Sequence, residues 1–312
     1  MRSPQEVLNT VYGFSEFRPH QAEIIDDILA GKDSFVLMPT GGGKSLCYQV
    51  PALVMEGTAV VVSPLIALMQ DQVDALRANG VSAAFYNSSL EGVEARRVLA
   101  QLHGGELDLI YVSPERMMNG SFIERLQGIK LSMIAIDEAH CVSQWGHDFR
   151  PDYAKLGQIR ELFSHVPTMA LTATADAQTR QDVVTQLQLK TPRIVVAGFD
   201  RPNIEYKVSD KNNPIQQVDQ ILARHEGESG IVYALSRKRV GEVADKLAKK
   251  GHKAAAYHAG LSAQVRQDVH VRFMRDELNV VVATVAFGMG IDKLDICFVI
   301  YYDIFKSVEG YY

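Results

Sequence analysis

An α/β protein with two parallel sheets flanked by helices is predicted by three observations. Short apolar, β-rich runs alternate with longer stretches of helical period, and one strand-to-helix junction is a glycine-rich loop. The alternation then restarts after a polar, proline-bearing stretch. With 312 residues the chain is long enough for two domains, since domains commonly run about 100–200 residues.

The first set of predicted strands is SFVLM (34–38), AVVVS (59–63), LDLIYVS (107–113), MIAID (133–137), TMALTA (168–173) and RIVVA (193–197). They read as nearly continuous apolar runs, as strands do when helices cover both faces. Between them, RPHQAEIIDDILAGKD places Ile24, Ile25, Ile28 and Leu29 on one helical face with Gly31 as a stop. IALMQDQVDALRANG predicts a helix ending at Gly80. From Gly198 to about Pro214 the chain is polar, carries two prolines and breaks the pattern, so the interdomain linker belongs there. The expected domains are therefore 1–204 and 205–312. The second set comprises GIVYALS (230–236), AAAYHAG (254–260), VVVAT (280–284) and CFVIYYD (297–303), with helices RKRVGEVADKLAKKG and SAQVRQDVHVRFMRDE.

Apolar residues make up 47% of the chain and charged ones 22%, which excludes disordered and fibrous classes. No apolar run approaches the ~20 residues of a spanning helix, and the start lacks the apolar core of a secretory signal, so a cytoplasmic protein and no membrane partner are expected. Cys47, Cys141 and Cys297 show no C-x-x-C spacing; reduced, buried thiols are expected, with no zinc. The net charge of −5 does not favour a polyanion, so any nucleic-acid site must be a local groove.

The strongest local signal is MPTGGGKSLCYQ. Gly41, Gly42 and Gly43 let backbone N–H groups curl around phosphates, Lys44 would reach the β and γ phosphates, and Ser45 would hold Mg²⁺. The strict G-x-x-x-x-G-K-S pattern fails at Met38, where the first glycine is expected. The second signal is IAIDEAH, an apolar run ending in Asp137 and Glu138, where parallel sheets bind ligands. Asp137 would hold the Mg²⁺ shell and Glu138 would orient or deprotonate water. Alone, Asp-Glu after a strand is usually a solvated loop; following a phosphate loop, it points to NTP hydrolysis.

Gln21 in FSEFRPHQ has an amide that matches the N6 and N7 edge of adenine. The single tryptophan, Trp145, lies with His147, Phe149, Arg150 and Tyr153 in SQWGHDFRPDY. Aromatics beside Arg offer a stacking platform for single-stranded bases, although large aromatics are more often core. His258 and the helix with Arg266, Arg272 and Arg275 read as a satisfied histidine and a solvated basic face.

With these residues stand FSEFRPHQ (14–21), VVSPLIALMQDQV (61–73), YVSPER (111–116), CVSQWGHDFRPDY (141–153), LTATA (171–175), YALSRK (233–238), YHAGLS (257–262) and VVVATVAFGMGIDK (280–293). In that order they resemble the RecQ helicases, a branch of superfamily 2, over the whole chain. The resemblance implies two RecA-like P-loop NTPase domains, ATP and Mg²⁺ as cofactors, and single-stranded and forked DNA as partners. The implied activity is 3′-to-5′ helicase action coupled to ATP hydrolysis, in repair and recombination. It implies that Phe14 and Arg18 sandwich the adenine and that Thr40 joins the nucleotide-binding set with Gly290 and Asp292, which with Gly288 lie in AFGMGID, where the second domain would face the nucleotide. His140 joins the catalytic set of Lys44, Asp137 and Glu138, and Thr172 and Thr174 would join hydrolysis to domain movement. DNA contacts are implied at Ser143, Gln144, Trp145, His147, Phe149 and Arg150.

Beyond Lys293 the agreement loosens, with Leu294, Cys297 and Tyr301 where relatives usually have Pro, Arg and His. Family members continue from SVEGYY into Q-x-x-G-R-x-G-R, whose arginines reach the γ-phosphate; loss of an arginine finger costs ~10³ to 10⁵ in rate. The second domain is therefore expected to be incomplete, and this chain to bind ATP better than it hydrolyses it. Two alternatives remain open: an RNA helicase, which also carries Asp-Glu-Ala-His, and an ATP-binding nucleic-acid binder without helicase activity.

Overall fold

The computed structural model divides into two compact units, Met1–Asp200 and Arg201–Tyr311, and the structure describes residues 2–90, 92–145, 148–198, 204–284, 293 and 295–303. The first unit carries seven strands: β1 (Ser34–Leu37), β2 (Thr58–Val62), β3 (Ala83–Tyr86), β4 (Leu109–Val112), β5 (Leu131–Ile136), β6 (Thr168–Thr172) and β7 (Arg193–Val196). All pair in parallel, in the order β3-β4-β2-β5-β6-β1-β7. β3 adds a strand to those read from the sequence. Its AAFY is short and has no β-branched residue, so pairing with β4 decides what propensity does not.

Side chains along β1 alternate between two cores. Phe35 and Leu37 enter one with Val60, Ile110 and Ile134, and Val36 enters the other with Ile24, Tyr48 and Val61. Met38 belongs to this second core and is 3% exposed. Its backbone is not among those with positive φ, so the position needs no glycine and its side chain fills the space beneath the loop.

Four helices frame the loop after β1. α1 (Pro4–Tyr12) starts with a Ser3–Glu6 capping box and stops at Gly13, φ 73°. α2 (Gln21–Leu29) buries Ile24, Ile25 and Ile28, with Leu29 only partly covered, and Gly31 turns the chain out at φ 76°. α3 (Leu46–Val54) follows Ser45 and meets both helices through Val50, Val7 and Ile25. α4 (Ile66–Ala78) runs to Asn79 and Gly80.

In the second unit, β8 (Ser229–Tyr233), β9 (Ala254–Tyr257), β10 (Val280–Ala283) and β11 (Ile296–Tyr301) form a parallel sheet in the order β11-β8-β10-β9. Helices Arg237–Lys249 and Ala263–Met274 supply Val240, Val243, Leu247 and Phe273 to its two faces. A Cβ on Gly230 would lie 2.1 Å from the Phe298 ring, so β8 must carry glycine where β11 closes on it. The expectation that helices cover both faces of every strand fails at two sheet edges: Ile194 and Val196 of β7, and Val299 and Tyr301 of β11, are exposed. Cys297 is likewise exposed, contrary to the expectation of buried thiols, because β11 alternates inward and outward. Tyr301 stacks on Tyr233 at 5.6 Å. Leu294 lies outside the described residues. No described helix is long and apolar enough to cross a membrane.

Candidate active site

Strand order assembles the site. β5, β6 and β1 are adjacent, so the loop after Leu37, the carboxylates after Ile136 and the threonines at Thr172 emerge side by side at the carboxyl edge of the sheet. Met38 N–H donates to the Thr172 carbonyl (3.1 Å) and Asp137 N–H to the Val62 carbonyl (2.8 Å), so the last residue of each run is still pinned to the sheet.

The glycine loop has the conformation its sequence demands. Gly41 and Gly43 sit at φ 79° and 85°, where side chains are strained. A Cβ on Gly42 would approach the Pro39 carbonyl to 2.9 Å. Lys44 turns back over the loop, donating to the Met38 and Pro39 carbonyls at 3.1 and 3.4 Å. Gln21 is buried beneath this loop: its Oε1 accepts from Arg18 N–H (2.8 Å) and its Nε2 donates to the Gly43 carbonyl (2.9 Å). Each amide atom keeps the valence for one further bond, but the side chain is 1% exposed, so both of its present bonds serve to brace the loop. Arg18 also donates to the Gly41 carbonyl. Phe14 is 51% exposed and Thr40 is exposed.

At the end of β5, desolvation by the surrounding protein and the neighbouring Glu138 push the Asp137 carboxyl up to about 7, while the Lys44 charge and the Glu138 N–H (3.0 Å) pull the other way. Glu138 takes a left-handed conformation, φ 49°, at the head of a 3₁₀ turn, Ala139–Val142. The turn buries His140, whose Nδ1 lies 2.8 Å from Thr172 Oγ1 and 3.3 Å from Glu138 Oε2. Thr172 Oγ1 donates in turn to the Thr174 carbonyl (3.1 Å).

The aromatic loop is tied to the same turn. Tyr153 is fully buried and its hydroxyl donates to the Asp137 carbonyl (3.0 Å), while Arg150 N–H donates to the Cys141 carbonyl (2.9 Å). Arg150 is ion-paired to Asp148 and reaches the Pro64 carbonyl just before α4 (3.1 Å). Trp145 is 71% exposed, and Phe149 and Gln144 also face solvent. Ser143 is buried and accepts the Trp145 N–H (3.1 Å), so its hydroxyl shapes the loop. His147, Gly288, Gly290 and Asp292 lie outside the described residues. Sequence reasoning missed the roles of Tyr153 and Pro64 as anchors, and no motif could have shown them.

The donor set fits a magnesium nucleotide. A bare glycine cradle opens a helix, and a carboxylate that the protein leaves costly to ionise is one that a cation would stabilise. Residues 18–183 match the DEAD/DEAH box helicase family and residues 213–312 the helicase conserved C-terminal domain. The chain is 51% identical to the ATP-dependent DNA helicase RecQ of Pasteurella multocida over 98% of its length and 49% of that protein. To the RecQ of Bacillus subtilis it is 44% identical over 99% of its length and 52% of that protein. The chain thus spans about half the length of these relatives. Among solved structures it resembles the DUF1998 helicase MrfA bound to DNA, with TM-score 0.76 and 19% identity over 100% of this chain and 46% of that one. It also resembles Saccharomyces cerevisiae Dbp5 bound to RNA and ADP BeF3, with TM-score 0.76 and 14% identity over 99% of this chain and 82% of that one. At these identities the likeness is one of fold.

Proposed function

The chain belongs to the RecQ branch of the DEAD/DEAH box helicases, and from that premise we propose that it is the motor region of an ATP-dependent DNA helicase. The observation that carries this reading is the single stretch from Asp137 to Tyr153. It holds the hydrolytic carboxylates at its start and the exposed Trp145 and Phe149 in its middle, and is closed on itself by the Tyr153–Asp137 and Arg150–Cys141 hydrogen bonds.

In this reading Gly41, Gly42, Gly43 and Lys44 bind the phosphates of ATP, Gln21 with Phe14 and Arg18 binds the adenine, and Thr40 borders the loop. Ser45 and Asp137 would hold Mg²⁺, which when bound neutralises phosphate charge. Glu138 accepts the proton of a water whose oxygen bonds to the γ-phosphorus as the bond to the β–γ bridging oxygen breaks. His140 senses that event from 3.3 Å and passes it to Thr172. Gln144, Trp145, Phe149 and Arg150 meet single-stranded DNA, and turnover drives 3′-to-5′ movement and strand separation in repair and recombination. Gly290 and Asp292 complete the nucleotide site, and the domain boundary falls between residues 204 and 205.

The test is Glu138→Gln. ATP hydrolysis stimulated by single-stranded DNA is expected to fall by about 10²–10⁴ with nucleotide binding retained. Unchanged turnover would refute the enzymatic reading. Equal stimulation by matched RNA and DNA strands would move the assignment to RNA.

A further inference from the structure

We propose that His140, Cys141 and Asp148 form a binding site for a borderline-soft divalent cation such as Zn²⁺, distinct from the magnesium-nucleotide site at Asp137. One ligand atom from each residue falls within 4.8 Å of the others. Cys141 Sγ lies 3.7 Å from His140 Nε2 and 3.8 Å from Asp148 Oδ2. Tetrahedral zinc with S and N ligands has bond lengths of about 2.3 and 2.0–2.1 Å, which puts its ligand–ligand edges at about 3.6 Å. Two edges of such a tetrahedron are therefore already near their final length.

The histidine is oriented for this task. Its Nδ1 side is occupied by Thr172 Oγ1 at 2.8 Å and Glu138 Oε2 at 3.3 Å, which directs Nε2 toward the thiol. A carboxylate or hydroxyl behind the non-ligating nitrogen is the outer-shell arrangement that fixes ring orientation at zinc sites. His140 and Cys141 are buried, whereas the Asp148 side chain is 32% exposed, so the cluster borders solvent on the Asp148 side, from which an ion and a completing water would approach. Arg150 is the resident competitor, with Nε and Nη2 at 3.1 and 2.9 Å from Asp148 Oδ2. Binding forms the metal–sulfur bond as the Cys141 thiol proton leaves to solvent, and Arg150 gives up or shares the carboxylate. No sequence spacing announces such a site, because two ligands are consecutive and the third comes from the far side of the aromatic loop.

An ion there would add a third tie between the Asp137–Glu138 turn and the loop bearing Trp145 and Phe149. The binding itself is independent of the helicase reading; the effect on turnover rests on it. Co²⁺ is the probe, titrated into a Cys297→Ser background that removes the exposed thiol. One equivalent is expected to give thiolate-to-cobalt charge-transfer absorption, lost in Cys141→Ser and weakened at least tenfold in Asp148→Asn. The Asp148→Asn change is at a part-exposed position, so it keeps the test interpretable if Cys141→Ser fails to fold. Absence of the band, or a band unaffected by both changes, would overturn the site. Zn²⁺ is then expected to slow DNA-stimulated ATP turnover in the parent and not in Cys141→Ser; equal inhibition of both would overturn its regulatory effect.

Discussion

Trp145 stands 71% exposed while Tyr153, eight positions on, is fully buried, and this contrast is what makes the loop between them a candidate stacking surface. Its anchors are inside and its aromatic payload outside. Trp145→Ala is expected to weaken binding of single-stranded DNA by about 1–3 kcal/mol, the worth of one stacked base. Fold stability should barely change, because little buried area is lost. Trp145 is the only tryptophan, so intrinsic fluorescence in the parent should quench on titration with an oligonucleotide; an undiminished affinity in the variant would remove Trp145 from the interface. At this scale the sequence was readable only in part. Residue types and motif order singled out Gln21, Lys44, Asp137 and Glu138 as candidates, and the fold brings Gln21 to the glycine loop and Asp137 within the field of Lys44. Burial preference alone would have sent Trp145 inward, and only the polar residues between it and Phe149 argued for a loop. The pairing of His140 with Thr172 joins residues 32 positions apart, and neither motif implies it.

Among the elements, the junction at the start of β1 is held by a group no motif marks. Asp33 is buried and accepts from Arg160 Nη2 at 3.2 and 2.9 Å, from Thr168 N–H at 2.9 Å and from Lys190 N–H at 2.7 Å. One carboxylate thus gathers the entries to β1 and β6 and the approach to β7, three neighbours in the sheet. Those strands place the glycine loop and Thr172 at their opposite ends. Asp33→Ala would leave a buried guanidinium without its counter-ion, a change that costs about 3–5 kcal/mol. Urea unfolding should show a lower midpoint at an unchanged slope. The double change Asp33→Ala with Arg160→Met should cost less than the sum of the two single changes. A loss below about 1 kcal/mol for Asp33→Ala would mean that water replaces the pair. Strand existence was legible because six runs of this unit are nearly continuously apolar, and β3 escaped because pairing rather than composition makes it a strand. A carboxylate that ties three strands belongs to tertiary structure and leaves no periodic trace.

For the whole chain, two separate sets of cores imply two cooperative bodies. The first unit buries its apolar residues on both sides of a seven-stranded sheet, the second on both sides of four strands. Between β7 and the helix Pro214–Arg224, residues 204–213 are exposed throughout and carry no helix or strand. Val208 is 99% exposed and Tyr206 68%. A protease needs several residues of backbone free of ladder hydrogen bonds, and this segment offers them beside cleavable side chains. Limited digestion is therefore expected to cut first after Tyr206 with chymotrypsin and after Lys207 with trypsin. Lys211 is a poorer site: Lys207 pairs only with the equally exposed Glu205, at 2.8 Å, whereas the Lys211 ammonium is held by the buried Asp303 at 2.9 Å and by the Tyr302 carbonyl at 2.8 Å. Mass spectrometry of the first products should give an amino-terminal fragment ending at Tyr206 or Lys207 that resists further digestion, because the seven-stranded sheet lies wholly within it. Early cuts within β1 to β7, at a rate matching those at Tyr206, would show that the first unit does not hold together on its own core.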